Sequence, residues 1–117
     1  MNKLINAHCE KVTSETPRLN DEEVNQLFTD LVGWNMYNKD SELRLEKIFT
    51  FKDFAQAAGF TNQVARIAGE EDHHPAILTE WGKVTVTWWT HKIKGLHQND
   101  FIMAAKTDQL YGENANS

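Results

Sequence analysis

The sequence predicts an α+β domain, in which two β-hairpins build a mainly antiparallel sheet covered by helices on one face. Three observations carry this expectation. Three stretches repeat apolar residues at helical spacing. Two other stretches are strand-like on either side of turn-forming residues. These units follow one another as α-β-β-α-β-β-α within 117 residues, which is one domain's worth of chain. A single domain over residues 1–117 is therefore expected.

Residues 1–17 are polar and without a period, so they read as an irregular N-terminal arm ending near Pro17. Asn20 then precedes Asp21, Glu22 and Glu23, a capping-box-like start with acids in the first turn. Val24, Leu27, Phe28 and Leu31 follow at helical spacing, and the helix should close near Gly33. Residues 34–50 read as a hairpin around Asn38, Lys39, Asp40 and Ser41. In its return strand Leu43, Leu45, Lys47 and Phe49 share one face, and Arg44, Glu46 and Ile48 the other.

Thr50 and Asp53 form a second capping-box pair before the longest helix. Phe51, Phe54, Ala55, Ala58, Val64, Ala65, Ile67 and Ala68 make it broadly apolar, as burial against a sheet requires. It must end near Glu71, because Pro75 disfavours helix at His74 and cannot continue the ladder. Residues 77–81 and 84–90 form a second hairpin, with Gly82-Lys83 as a type I′ or II′ turn. A last helix from about residue 97 to 111 buries Phe101, Ile102, Ala105 and Leu110, and residues 112–117 are expected to be a frayed tail. With one sheet face covered, the other must meet solvent or a second subunit.

Composition removes several function classes. The net charge is −5 and the basic residues are scattered, which argues against nucleic-acid binding. No run of about 18 apolar residues exists to span a membrane. The one cysteine, Cys9, cannot form an internal disulfide, and the N-terminus has no apolar leader, so a cytoplasmic location is expected.

Residues 70–100 hold four of the five histidines and three of the four tryptophans. A core does not need that concentration of imidazole and indole, whereas a site can use it. His73 and His74 stand where a helix breaks before Pro75, so their rings can splay around one cavity. His91 ends the last strand, on the Thr85, Thr87 and Trp89 side, away from Val84, Val86 and Trp88. Three imidazoles can thus converge at one sheet edge. Imidazole both gives and takes a proton near neutral pH, so two of them can serve one substrate as acid and base. Trp81 and Trp89 could wall a planar ligand, and Glu71, Asp72 and Asp100 could orient an imidazole or hold a polar ring edge.

Plainer readings stand beside these. His8 and His97 read as structural or merely exposed, and Trp88 as core. Asp100 reads equally well as a first-turn helix residue favoured by the macrodipole. Glu70, Glu71 and Asp72 would ordinarily be a solvated helix end, although acids there oppose the dipole. Three histidines can also hold a catalytic zinc, but the H-E-x-x-H spacing is absent. Nucleophilic catalysis has no G-x-S-x-G elbow, and Cys9 sits in the distant arm.

The run E-E-D-H-H-P, then five residues to Trp81, nine to His91 and eight to Asp100, resembles the signature of the pterin-4a-carbinolamine dehydratases. L-T-E-W-G-K-V-T-V-T-W-W-T-H-K-I-K-G-L-H-Q-N-D-F-I-M-A-A resembles the bacterial members found with phenylalanine hydroxylase. The H-C-E arm, the D-E-E helix start and L-E-K-I-F-T-F-K-D-F fit as well. The resemblance implies a four-stranded antiparallel sheet with three helices on one face, in a homodimer or homotetramer joined sheet edge to sheet edge. It implies dehydration of 4a-hydroxytetrahydrobiopterin to quinonoid dihydropterin, without a metal, nucleotide or redox cofactor. That reaction would serve recycling of the pterin used by aromatic amino acid hydroxylases, with phenylalanine hydroxylase as a partner. By the family pattern His73 and His91 carry the proton transfers, His74 binds substrate and protonates the hydroxyl, and Asp100 supports the site. The family also includes a dimerisation cofactor of a transcription factor, so a non-catalytic binding module acting through the last helix is the alternative.

Overall fold

The first ordered helix begins where its cap is written. Asn20 accepts the Glu23 N–H and Glu23 returns a carboxylate to the Asn20 N–H, closing a capping box ahead of α1, Asp21–Phe28. In this computed structural model, which describes residues 3–115, the remaining elements are β1 (Asn35–Lys39), β2 (Glu42–Thr50), α2 (Phe54–Glu71), β3 (Ala76–Glu80), β4 (Lys83–Trp88) and α3 (Gln98–Ala115). Short 3-10 turns at Lys3–Asn6 and His91–Ile93 complete them. The order α-β-β-α-β-β-α and the four-stranded antiparallel sheet, ordered β1-β2-β4-β3, are as the sequence predicts.

The inner sheet face supplies Leu45 and Phe49 from β2 and Val84, Val86 and Trp88 from β4. Against it pack Ala57, Phe60, Val64 and Ala68 of α2 and residues 101–105 of α3, while α1 adds Val24. Phe49 is the centre of an aromatic cluster, with the rings of Phe60 and Tyr111 both 5.0 Å from its own. The opposite sheet face is open in the single chain, where Ile48 and Leu78 flank Thr85 in register and are largely exposed.

Several local expectations are corrected. Thr50 remains in β2, and Asp53 alone caps α2, accepting the Gln56 N–H at 2.9 Å. The helix therefore starts later than expected, and its buried stripe runs through Ala57 and Phe60, leaving Phe54, Ala55 and Ala65 exposed. Apolar residues surround much of this helix, so composition alone did not select the face that docks. In the second hairpin Glu80 pairs with Lys83, which makes Trp81-Gly82 the turn. Neither residue takes a positive φ, so the turn is not of the primed type. Gly82 instead accepts the Phe51 N–H at 2.8 Å, and a Cβ there would lie 3.3 Å from the Phe51 carbonyl. The primed geometry occurs in the first hairpin, where Asp40 and Ser41 both have positive φ between the paired Lys39 and Glu42. β4 ends at Trp88, two residues early, and α3 continues through Gly112 to Ala115.

Candidate active site

The break after α2 places two adjacent histidines differently. Asp72 caps the helix in the left-handed region, φ 51°, and the His73 N–H returns to the Ala68 carbonyl. This turn drives His73 into the interior and leaves His74 exposed. The acids that oppose the helix dipole have a local explanation at Glu71. Its carboxylate accepts the Cys9 N–H at 2.7 Å and pairs with the His8 ring at 2.8 Å. Burial pushes this carboxyl up, but those donors outweigh it and hold Glu71 below its ordinary value.

His73 meets Asp100 at 2.6 Å through Nε2 and stacks nearly parallel to Trp88, centroids 5.9 Å apart. Asp100 is fully buried, and its other oxygen accepts the Thr90 hydroxyl at 2.7 Å and the His97 N–H at 3.0 Å. An ionised carboxylate can only accept, and opposite one His73 Nε2 is the donor of the pair. The His97 ring in turn accepts the Asn99 N–H. Asp100 thus both helps to start α3 and anchors His73, and its two sequence readings are one arrangement.

His91 does not end a strand. β4 releases the chain at Trp89, and Thr90 bridges to Gly95 around the turn that carries His91. The His91 side chain is 79% exposed, yet its Nδ1 lies 3.0 Å from the carboxylate of buried Glu42, at the start of β2. The guanidinium of Arg44 sits 4.0 Å over the Trp89 ring. Sequence reasoning did not single out Glu42. Its only local signal was a carboxylate in register with Arg44, Glu46 and Ile48, a face expected to be polar.

These elements enclose a cavity of about 750 Å³, lined by His73, His74, His91, Trp89, Glu71, Asp72 and residues 9–12 of the arm, among others. The volume is in the range of small-molecule sites. Asp100 stands behind this wall, through its bond to His73. Trp81 is not brought to it. It lies 71% exposed in the β3–β4 turn, at the other end of β4. The six residues of β4 at about 3.3 Å each put the turn nearly 20 Å from the histidine end.

The arm, expected to be irregular, is tethered across the cavity. The Asn99 amide accepts the Glu10 N–H at 3.0 Å and donates to the Glu10 carbonyl at 2.8 Å, as a paired strand would. His97, set outside the site by its sequence, is buried beside this tether, 3.1 Å from the Glu10 carboxylate. Burial, reinforced by the Glu71 and Asp100 carboxylates, pushes the Cys9 thiol up to about 12. Among the described residues no three His, Cys, Asp or Glu side chains are grouped to hold a metal ion. No helix among them is long and apolar enough to cross a membrane.

Comparison with known proteins places the chain in a family. The family model described as pterin 4 alpha carbinolamine dehydratase matches residues 17–110. A Marinobacter nauticus protein, named provisionally as a pterin-4-alpha-carbinolamine dehydratase, is 53% identical over 111 residues, covering 95% of this chain and all of its own. The crystal structure of a transcriptional coactivator/pterin dehydratase from Brucella melitensis superposes with a TM-score of 0.74 at 35% identity, over 82% of this chain and all of that one. A pterin dehydratase-like protein identified as a RuBisCO assembly factor in the alpha-carboxysome superposes with a TM-score of 0.58 at 26% identity, over 68% of this chain and 90% of that one. The chain belongs to the pterin 4 alpha carbinolamine dehydratase family and is, by class, a hydro-lyase.

Proposed function

We propose that the protein eliminates water from 4a-hydroxytetrahydrobiopterin by histidine general acid–base catalysis. The observation that carries this reading is the convergence of His73, His74 and His91 on one cavity with Trp89 in its wall. In the reaction the C4a–O bond breaks, the departing hydroxyl takes a proton, N5 loses one, and a C4a–N5 double bond forms. One group must give a proton and another must accept one, and no electrons leave the substrate. His73 and His91 serve the proton transfers, and His74 binds substrate and protonates the hydroxyl. Trp89 offers a flat apolar surface for the bicyclic ring. Buried Asp100 holds His73 in one tautomer.

The product would return to the pterin pool of an aromatic amino acid hydroxylase, with phenylalanine hydroxylase as the partner we favour. β1 and β3 are edge strands, which supports joining of sheets in a homodimer or homotetramer. The test is direct dehydration of enzymatically generated 4a-hydroxytetrahydropterin. His73→Ala and His91→Ala should each lower turnover by about 10²-fold or more. Rates near wild type in both variants would refute the assigned roles. A second reading, a non-catalytic binding module, is favoured by the likeness to a transcriptional coactivator/pterin dehydratase and to a RuBisCO assembly factor. Partner binding that survives in a triple-histidine variant without dehydratase activity would support it.

A further inference from the structure

We propose that Glu42 is a positioning residue for His91, so that the cavity works with two carboxylate–imidazole pairs. The activity arm of this inference rests on the dehydratase reading. Its structural basis does not. The first pair, Asp100 with His73, is buried on both sides. The second joins an exposed ring that lines the cavity to a buried acid. A carboxylate is removed from water only where a donor meets it, and the Glu42 donor is the His91 ring at 3.0 Å. Without that bond an imidazole 79% exposed on a short turn would be free to rotate.

Glu42 is well placed to stop it. Its backbone is set by the tight Asp40-Ser41 turn and by pairing with Lys39, so the carboxylate belongs to the sheet and the ring to a loop. An anionic acceptor at Nδ1 selects the tautomer with the proton on that nitrogen, which leaves Nε2 unprotonated. In the first pair Asp100 takes Nε2 of His73, leaving Nδ1. The two imidazoles are thus held through opposite nitrogens. Each keeps one nitrogen for substrate.

The experiment reads ring nitrogens as well as rate. Side-chain nitrogen NMR of His91 in the purified protein should show the Nδ1–H tautomer, and Glu42→Ala should shift it towards the Nε2–H form. In the dehydration assay Glu42→Ala should lower kcat by about 10-fold to 100-fold, the usual effect of removing a group that orients a functional imidazole, with KM little changed. Added to His91→Ala, it should cost no further activity, because its effect runs through that ring. Should Glu42→Ala fail to fold, Glu42→Met, with similar volume and no acceptor, makes the same comparison. A His91 tautomer indifferent to loss of the carboxylate overturns the proposal, as does an undiminished loss in the His91→Ala background. If the wild-type protein does not dehydrate the pterin, the functional reading fails, and the NMR result alone decides the role of Glu42.

Discussion

Replacing Asp100 by asparagine separates charge from shape at the centre of the site. The carboxylate is fully buried and receives three donors, at 2.6, 2.7 and 3.0 Å. The amide has nearly the same volume but only one accepting oxygen. The His97 backbone N–H cannot reverse, so that oxygen must take the place facing His97 and Thr90. The amide NH2 then faces His73 Nε2, which can only accept. The proton must leave Nε2 for Nδ1, so the nitrogen His73 keeps for substrate carries a proton in place of a lone pair. Hydrogen bonds to a charged group contribute about 1.5–3 kcal/mol and neutral ones about 1, so three weakened bonds amount to roughly 3 kcal/mol of stability. A carboxylate-to-amide change that inverts an imidazole tautomer lowers turnover by about 10²–10⁴-fold. Urea unfolding measures the first quantity, the dehydration assay the second, and nitrogen NMR of His73 the cause. Wild-type turnover with the His73 tautomer unchanged would refute the reasoning.

Other perturbations test the arm and the cavity walls. With its pKa moved from 9.0 to about 12, Cys9 holds about 10³-fold less thiolate at pH 8. Its alkylation in the native protein should be slower by that factor than in the unfolded chain, and equal rates would contradict its burial. Glu71 is depressed in the folded state, so the stability it adds is present above its unfolded pKa and is lost as pH falls through the folded one. Acidification below the ordinary carboxylate range should therefore loosen the arm, seen as a fall in the protection of the Cys9 amide from hydrogen exchange relative to its intrinsic rate at each pH; protection with no such step would argue against the tether. Trp89→Ala should raise KM, whereas Trp81→Ala, at the far turn, should leave it unchanged. A reversed pattern in steady-state kinetics would move the ligand wall to the wrong end of β4.

How much of this was legible depended on the range of the signal. The Asn20–Glu23 cap and the break before Pro75 are each decided within a few residues, and both occur as read, whereas the first turn narrows from residues 38–41 to Asp40-Ser41. The choice between Thr50 and Asp53 as cap, and between the possible buried faces of α2, depended on where β2 ended and how the helix docked. Local pattern alone left both open.

The site divides in the same way. The sequence by itself determined the element order, the antiparallel hairpins and the histidines worth watching, because periodicity, turn chemistry and the His-His-Pro break act locally. Only the tertiary structure decided which side chains meet. His73 finds Asp100 across 27 positions and His91 finds Glu42 across 49, while Trp81, only eight residues from Trp89, is carried away by one strand length. Such pairings arise from sheet register and helix docking, where distance in space has no fixed relation to distance along the chain.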